Sequence, residues 1–192
     1  SLLALGKVEE AALVVRHGLE VTDGGAELEY VAGRVHRAKN NLREAVGALR
    51  RAIAKRPDHL PSRAGLGRLA LVAGHFSEAA RHYEALARIA PRDRQVSIGL
   101  AVAYRGLGRF VEAREVYDRL LERDPNDVDI LWNLARLCHH HLSLYDEALM
   151  RYRQIRELNR ANSRAVLVEL PGLIADAERL SVGAKEAGQQ EA

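Results

Sequence analysis

Three of the five prolines in this chain, Pro57, Pro91 and Pro125, stand 34 residues apart. Proline offers no backbone N–H and clashes with the preceding helical turn, so each one ends a helix. A fixed spacing of helix breakers restricts the chain to a stack of similar short helical units, because each unit can bury its apolar face only against a neighbour. The rest of the sequence falls into the same frame. Residues 26–59, 60–93 and 94–127 are blocks of 34, residues 128–162 form a block one residue longer, and residues 1–25 fit the last 25 positions of a preceding block. The stretches LGKVEEA, KNNLREA, AGHFSEA, LGRFVEA and LSLYDEA are one turn written five times.

Each aligned column has a physical reason. Position 8 is Gly33, Gly67, Ala101 and Ala135, and position 20 is Ala11, Ala45, Ala79, Ala113 and Ala148. Small side chains at both places let two helices cross closely. Position 17 (Val8, Leu42, Phe76, Phe110, Tyr145) and position 24 (Val15, Leu49, Tyr83, Tyr117, Tyr152) supply the larger apolar groups of the second helix. An abundance of Ala, Leu, Glu and Arg favours helix throughout.

These columns resemble the tetratricopeptide repeat family, whose signature of small, aromatic and proline positions is matched in the block 94–127 by Leu100, Ala101, Tyr104, Ala113, Tyr117 and Pro125. The resemblance covers about residues 1–162 and implies an all-α fold, a right-handed superhelical solenoid of antiparallel helix pairs. Two columns depart from it: position 4 holds Glu29, Arg63, Ser97 and Leu131, and Arg160 replaces the last proline. The pentatricopeptide family of RNA binders has a similar helix pair, but its repeats run about 35 residues. Strict 34-residue blocks and the repeated Ala of the second helix count against it, so nucleic acid is not expected as a partner.

Residues 163–182 leave the pattern. Their apolar residues, among them Leu170, Leu173, Ile174 and Leu180, suit a terminal helix region that covers the last exposed face, with Pro171 bending or breaking it. The polar tail 183–192 is expected to be poorly ordered. The chain begins at Ser1 rather than Met, and residues 1–5 correspond only to the final turn of a first helix. A piece of a longer array is therefore expected.

Family resemblance also implies where a partner would lie, since first helices line the concave surface of such arrays. Carried over position by position, the partner-facing residues are Tyr30, Arg34, Arg37, Arg68, Arg105, Trp132, Asn133 and Arg136. Arginines dominate, and Gly65, Gly99 and Gly106 are expected to leave room against the inner wall. A protein or peptide segment carrying acids and one or two large apolar residues would suit this surface. The alternative reading is a regulatory or targeting region of a larger enzyme whose catalytic domain lies elsewhere. Lys and Asn, which clamp chaperone carboxylates in some relatives, are missing from the matching places.

Catalysis, cofactors and metals are not expected. His139, His140 and His141 are consecutive, and neighbours on a helix point about 100° apart, so the three cannot converge on one ion. They are expected to form a surface cluster. Cys138 falls in a packing column of the family, where a small buried residue is expected rather than a nucleophile, and no nucleophile motif or phosphate loop occurs. No apolar run approaches the roughly 18–20 residues that span a bilayer. A single cysteine suits a reducing compartment, which slightly favours the cytoplasm. The excess of Arg over four Lys points to a GC-rich, bacterial genome. Composition leaves the oligomeric state open.

Overall fold

The structure, a computed structural model, describes residues 7–22, 24–158 and 164–190. Among these residues there are ten helices and no strand. In order they are α1 (Val8–Val21), α2 (Ala26–Ala38), α3 (Leu42–Lys55), α4 (Leu60–Val72), α5 (Phe76–Ile89), α6 (Arg94–Gly106), α7 (Phe110–Arg123), α8 (Val128–His140), α9 (Tyr145–Leu158) and α10 (Arg164–Gln190). Short connections force consecutive helices to run antiparallel, and the result is an all-α solenoid of helix pairs. The expected final turn at residues 1–5 and Arg160 lie outside the described residues.

Two kinds of connection alternate. The turn inside each pair places one residue at positive φ: Asn40 (60°), Gly74 (73°), Gly108 (75°) and Ser143 (55°). The following N–H then reaches back to the end of the first helix, as His75 does to Ala70 O at 2.8 Å and Arg109 to Tyr104 O at 2.9 Å. This left-handed cap is why Gly and Asn recur there. The extra residue of block 128–162 sits in its turn, where Leu144 N–H bonds Cys138 O at 3.0 Å. Between pairs, the connector carries the proline and then a helix cap. His59 accepts from Ser62 N–H at 3.3 Å, Asp93 from Val96 N–H at 3.1 Å and Asp127 from Ile130 N–H at 3.2 Å. Each ties down one of the free donors at a helix start. This cap column also repeats every 34 residues, and it was passed over in the sequence.

The chain divides into two compact units, Ser1–Ala103 and Tyr104–Ala192. In the first, Ala11 and Val15 of α1 join Ala32, Val35 and Ala48 in a buried cluster. Helix α3 buries Ala45, Ala48, Leu49 and Ala52, and α5 buries Ala79, Ala80, Tyr83 and Leu86. These stripes, at i, i+3, i+4, i+7 in α3 and i, i+1, i+4, i+7 in α5, hold each 14-residue helix by packing rather than by intrinsic propensity. Leu49 lies where a β-carbon on Gly33 or Gly65 would be, 2.8 and 3.0 Å away, and Tyr83 does the same for Gly67 and Gly99, at 2.9 and 2.3 Å. Each large residue at position 24 therefore fits between glycines of two successive first helices.

Position 4 breaks the apolar rule at Glu29, which is buried and bonded through both carboxylate oxygens to Arg51 Nε at 3.0 Å. Arg51→Ala is expected to destabilise the protein by about 1–2 kcal/mol, because it takes from a buried carboxylate its nearer cation and leaves Lys55 Nζ at 4.0 Å. Breaking a fully buried pair costs roughly 3–5 kcal/mol, and the solvent around Arg51 reduces that. Glu29→Leu should cost less than Arg51→Ala, since it removes the charge together with its need for a partner. Paired thermal melts check the order.

In the second unit, Tyr117, Ile130, Leu131, Leu134, Leu137, Tyr152, Ile155 and Leu170 are fully buried. Helix α10 covers α9 with Leu170, Ile174, Ala177 and Ser181, a stripe at helical spacing. It is 27 residues long and carries Pro171 in its interior. Pro171 was expected to bend or break the helix, yet α10 continues through it to Gln190. Proline removes one backbone hydrogen bond, and burial of the stripe offsets that loss. Beyond the stripe, Lys185 Nζ reaches Asp146 at 2.9 Å.

Candidate functional site

In the first unit the expected partner-facing residues occupy α2 and α4. Tyr30 is half-buried with its ring edge-on to His59, 5.4 Å between centroids, and the Arg34 guanidinium lies 5.8 Å from the Tyr30 centroid. His59 is buried and its Nδ1 accepts from Ser62, so its proton sits on Nε2, which is 3.2 Å from Glu27 Oε1. Tyr30 is thus held by a side chain that itself caps α4. Arg37 and Arg68 are exposed, on α2 and α4. Burial pushes the Tyr83 hydroxyl above its ordinary pKa, and the nearby Arg68 charge opposes that rise. Glu27, in the first turn of α2, is taken up internally: the hydrogen bond from Arg56 (2.5 Å), and then the nearby His59 ring, hold its carboxyl below the usual range.

In the second unit, Arg105 is half-buried near the end of α6, where its charge opposes the burial-driven rise of the Tyr117 hydroxyl. Trp132 is half-buried on α8, edge-on to Tyr152 with 6.1 Å between centroids, and exposed Arg136 lies 5.9 Å from its ring centre. Asn133 donates its amide to Asp129 O at 2.7 Å. Arg34–Tyr30 and Arg136–Trp132 are therefore equivalent guanidinium–aromatic units one turn apart on a first helix, a geometry that gives a rigid and weakly hydrated cation.

Among the described residues, none of Arg34, Arg37, Arg68, Arg105 and Arg136 is in an ion pair. The second helices differ. There Arg51 pairs with Glu29, Arg114 with Glu147 at 2.9 Å, Arg151 with Glu147 at 2.9 Å and Arg153 with Glu178 at 2.7 Å.

Two expectations need correction. Gly65 and Gly99 do not leave room for a ligand, because both are buried and Leu49 and Tyr83 of this chain fill the space; Gly106 alone of the three is exposed. Nor does the whole histidine run lie on the surface: His140 and His141 are exposed, as expected, but His139 is buried. His139 is only 4% exposed, with Nε2 3.4 Å from Asp176 and Nδ1 3.5 Å from the Tyr152 hydroxyl. Helix α10 brings Asp176 over the face of α8 that was expected to be open. His140 stacks on His139 at 4.5 Å, while His141 turns away to stack on Phe110 at 4.4 Å. Burial, then the His139 charge, lowers the His140 pKa.

Reactive groups are few. Cys138 is buried and burial pushes its thiol up to about 11, far from the thiolate a nucleophile needs. The described residues hold no group of three or more His, Cys, Asp and Glu side chains placed to bind a metal ion. No helix among them is long and apolar enough to cross a membrane.

Comparisons with known proteins agree with this architecture. The solved structure of MamA 41-end from Desulfovibrio magneticus RS-1 superposes with a TM-score of 0.77 at 21% identity, covering 83% of this chain and 89% of that one. A tetratricopeptide repeat protein from Parabacteroides merdae gives 0.69 at 16% identity, covering 98% and 74%. These show the fold. Among curated proteins, the Protein CTR9 homolog of Arabidopsis thaliana is 28% identical over 100 residues, which is 52% of this chain and 9% of that protein. Superkiller protein 3 of Schizosaccharomyces pombe is 36% identical over 72 residues, 38% of this chain and 5% of that protein. The chain thus spans less than a tenth of either curated relative. The family model described as "Tetratricopeptide repeat" matches residues 30–94, 64–128 and 98–163, in steps of the 34-residue repeat read from the prolines, and the chain belongs to the tetratricopeptide repeat family.

Proposed function

We propose that this chain is a protein-interaction scaffold that holds an acidic and apolar segment of a partner protein on its first helices and carries no chemistry of its own. The contacts come from Tyr30, Arg34, Arg37 and Arg68 in the first unit and from Arg105, Trp132, Asn133 and Arg136 in the second. One observation carries the reading: the arginines of these faces lie outside ion pairs among the described residues, while Arg51, Arg114, Arg151 and Arg153 of the second helices are paired with acids. An unpaired guanidinium beside an aromatic ring offers a carboxylate a bidentate partner at little ordering cost. Trp and Tyr supply rigid area of the kind that dominates binding energy.

The test is a pull-down with the whole chain from its source organism, followed by affinity measurements on the partner recovered. Arg34→Glu with Arg68→Glu should weaken binding at least tenfold and reduce its salt sensitivity, with helical content unchanged. Trp132→Ala should weaken binding with little change in salt dependence. A partner held equally by the native chain and all these variants would overturn the proposal.

A further inference from the structure

The first unit carries a second surface, on the side of its second helices. Two adjoining hollows between α3, α4 and α5, of about 360 and 370 Å³, share Arg50, Leu66 and Glu78 as common wall. One hollow has an apolar floor of Leu42, Val46, Leu69 and Val72, with Arg43 and His75 also in its lining. Leu42 and Val72 stay 43% and 81% exposed. The other hollow is lined by Arg50, Arg63, Arg81 and His82 around the single carboxylate of Glu78. Arg50 holds Glu78 at 3.1 Å, and Arg63 donates to Pro57 O at 2.8 Å. Arg43, Arg50, Arg63 and Arg81 against the one carboxylate of Glu78 leave an excess of positive charge along a trough with an apolar floor.

We infer that this trough docks a short acidic–apolar segment of a partner protein, its apolar side chains against Leu42, Leu69 and Val72 and its carboxylate at Arg50, Arg63 and Arg81. Each hollow lies near the lower end of the roughly 300–1,000 Å³ typical of ligand pockets, which suits side chains of a peptide. Like charge along the trough rejects basic segments, so the device selects as well as binds. None of Tyr30, Arg34, Arg37 and Arg68 lines either hollow, and the inference stands apart from the first-helix reading.

Random twelve-residue peptides displayed on phage and selected against the whole chain test it. Enriched peptides are expected to place acids beside apolar residues, and their affinity should fall at least tenfold with Arg50→Glu plus Arg81→Glu and with Val72→Asp. All three side chains are exposed, so circular dichroism should report an intact fold. The same peptides should bind normally to Arg34→Glu plus Arg68→Glu. Selection that yields no binder, or only binders indifferent to the α3–α5 variants, overturns the inference. Peptides lost only with the Arg34 and Arg68 changes would overturn it while supporting the first-helix reading.

Discussion

Gly99→Ala is expected to destabilise the protein by about 2–3 kcal/mol, the upper part of the range for overpacking a core. The sign is the informative part. In an exposed helix interior the same exchange stabilises by roughly 0.5–1 kcal/mol, because alanine has less backbone freedom to lose. Gly99 lies inside α6, and by propensity alone alanine should improve it. Its added β-carbon, however, would stand 2.3 Å from two carbons of the Tyr83 ring, and Tyr83 is only 4% exposed. A buried ring between two helices cannot swing aside as an exposed side-chain end could. For a chain of this size the melting temperature should fall by roughly 2–4 °C per kcal/mol. Tyr83→Leu combined with Gly99→Ala should recover part of the loss, since the smaller side chain frees the space. A Gly99→Ala variant that melts at or above the native temperature would contradict the packing.

Ala79→Leu should produce a loss of similar size. Ala79 is fully buried on α5, which packs on α4, and three additional carbons have no void to enter. The matched control is Glu115→Leu on α7, where the carboxylate side chain is 62% exposed and the change should be nearly silent. Equal melting temperatures for the two variants, or the reverse order, would mean that the repeat register is misplaced.

The trough on α3–α5 and the faces of α2, α4 and α8 are the two surfaces proposed for binding. Arginine has different tasks on the two. On the second helices several are paired, as Arg51 is with buried Glu29 and Arg151 with Glu147. On the first helices it lies over an aromatic ring, as Arg34 does at Tyr30 and Arg136 at Trp132. The number of arginines in the sequence says nothing about this division, because pairing depends on which acid the neighbouring helix presents.

Periodicity by itself determined the helix pairs, the small residues at their crossings, the prolines at their ends and the family. Those features depend on residues at most one repeat apart, and a fixed spacing repeats the same local physics in every block. The structure decided what depends on a partner from another helix. Gly65 and Gly99 look open in a single repeat and are filled by Leu49 and Tyr83 of the preceding second helix. His139 sits at a position that is open in the repeating pattern, and α10, which follows no repeat, buries it beneath Asp176. Pro171 reads as a helix breaker until the burial of Leu170, Ile174 and Ala177 against α9 is counted. Local rules set each helix, whereas burial is a property of the stack, and only the tertiary structure holds the stack.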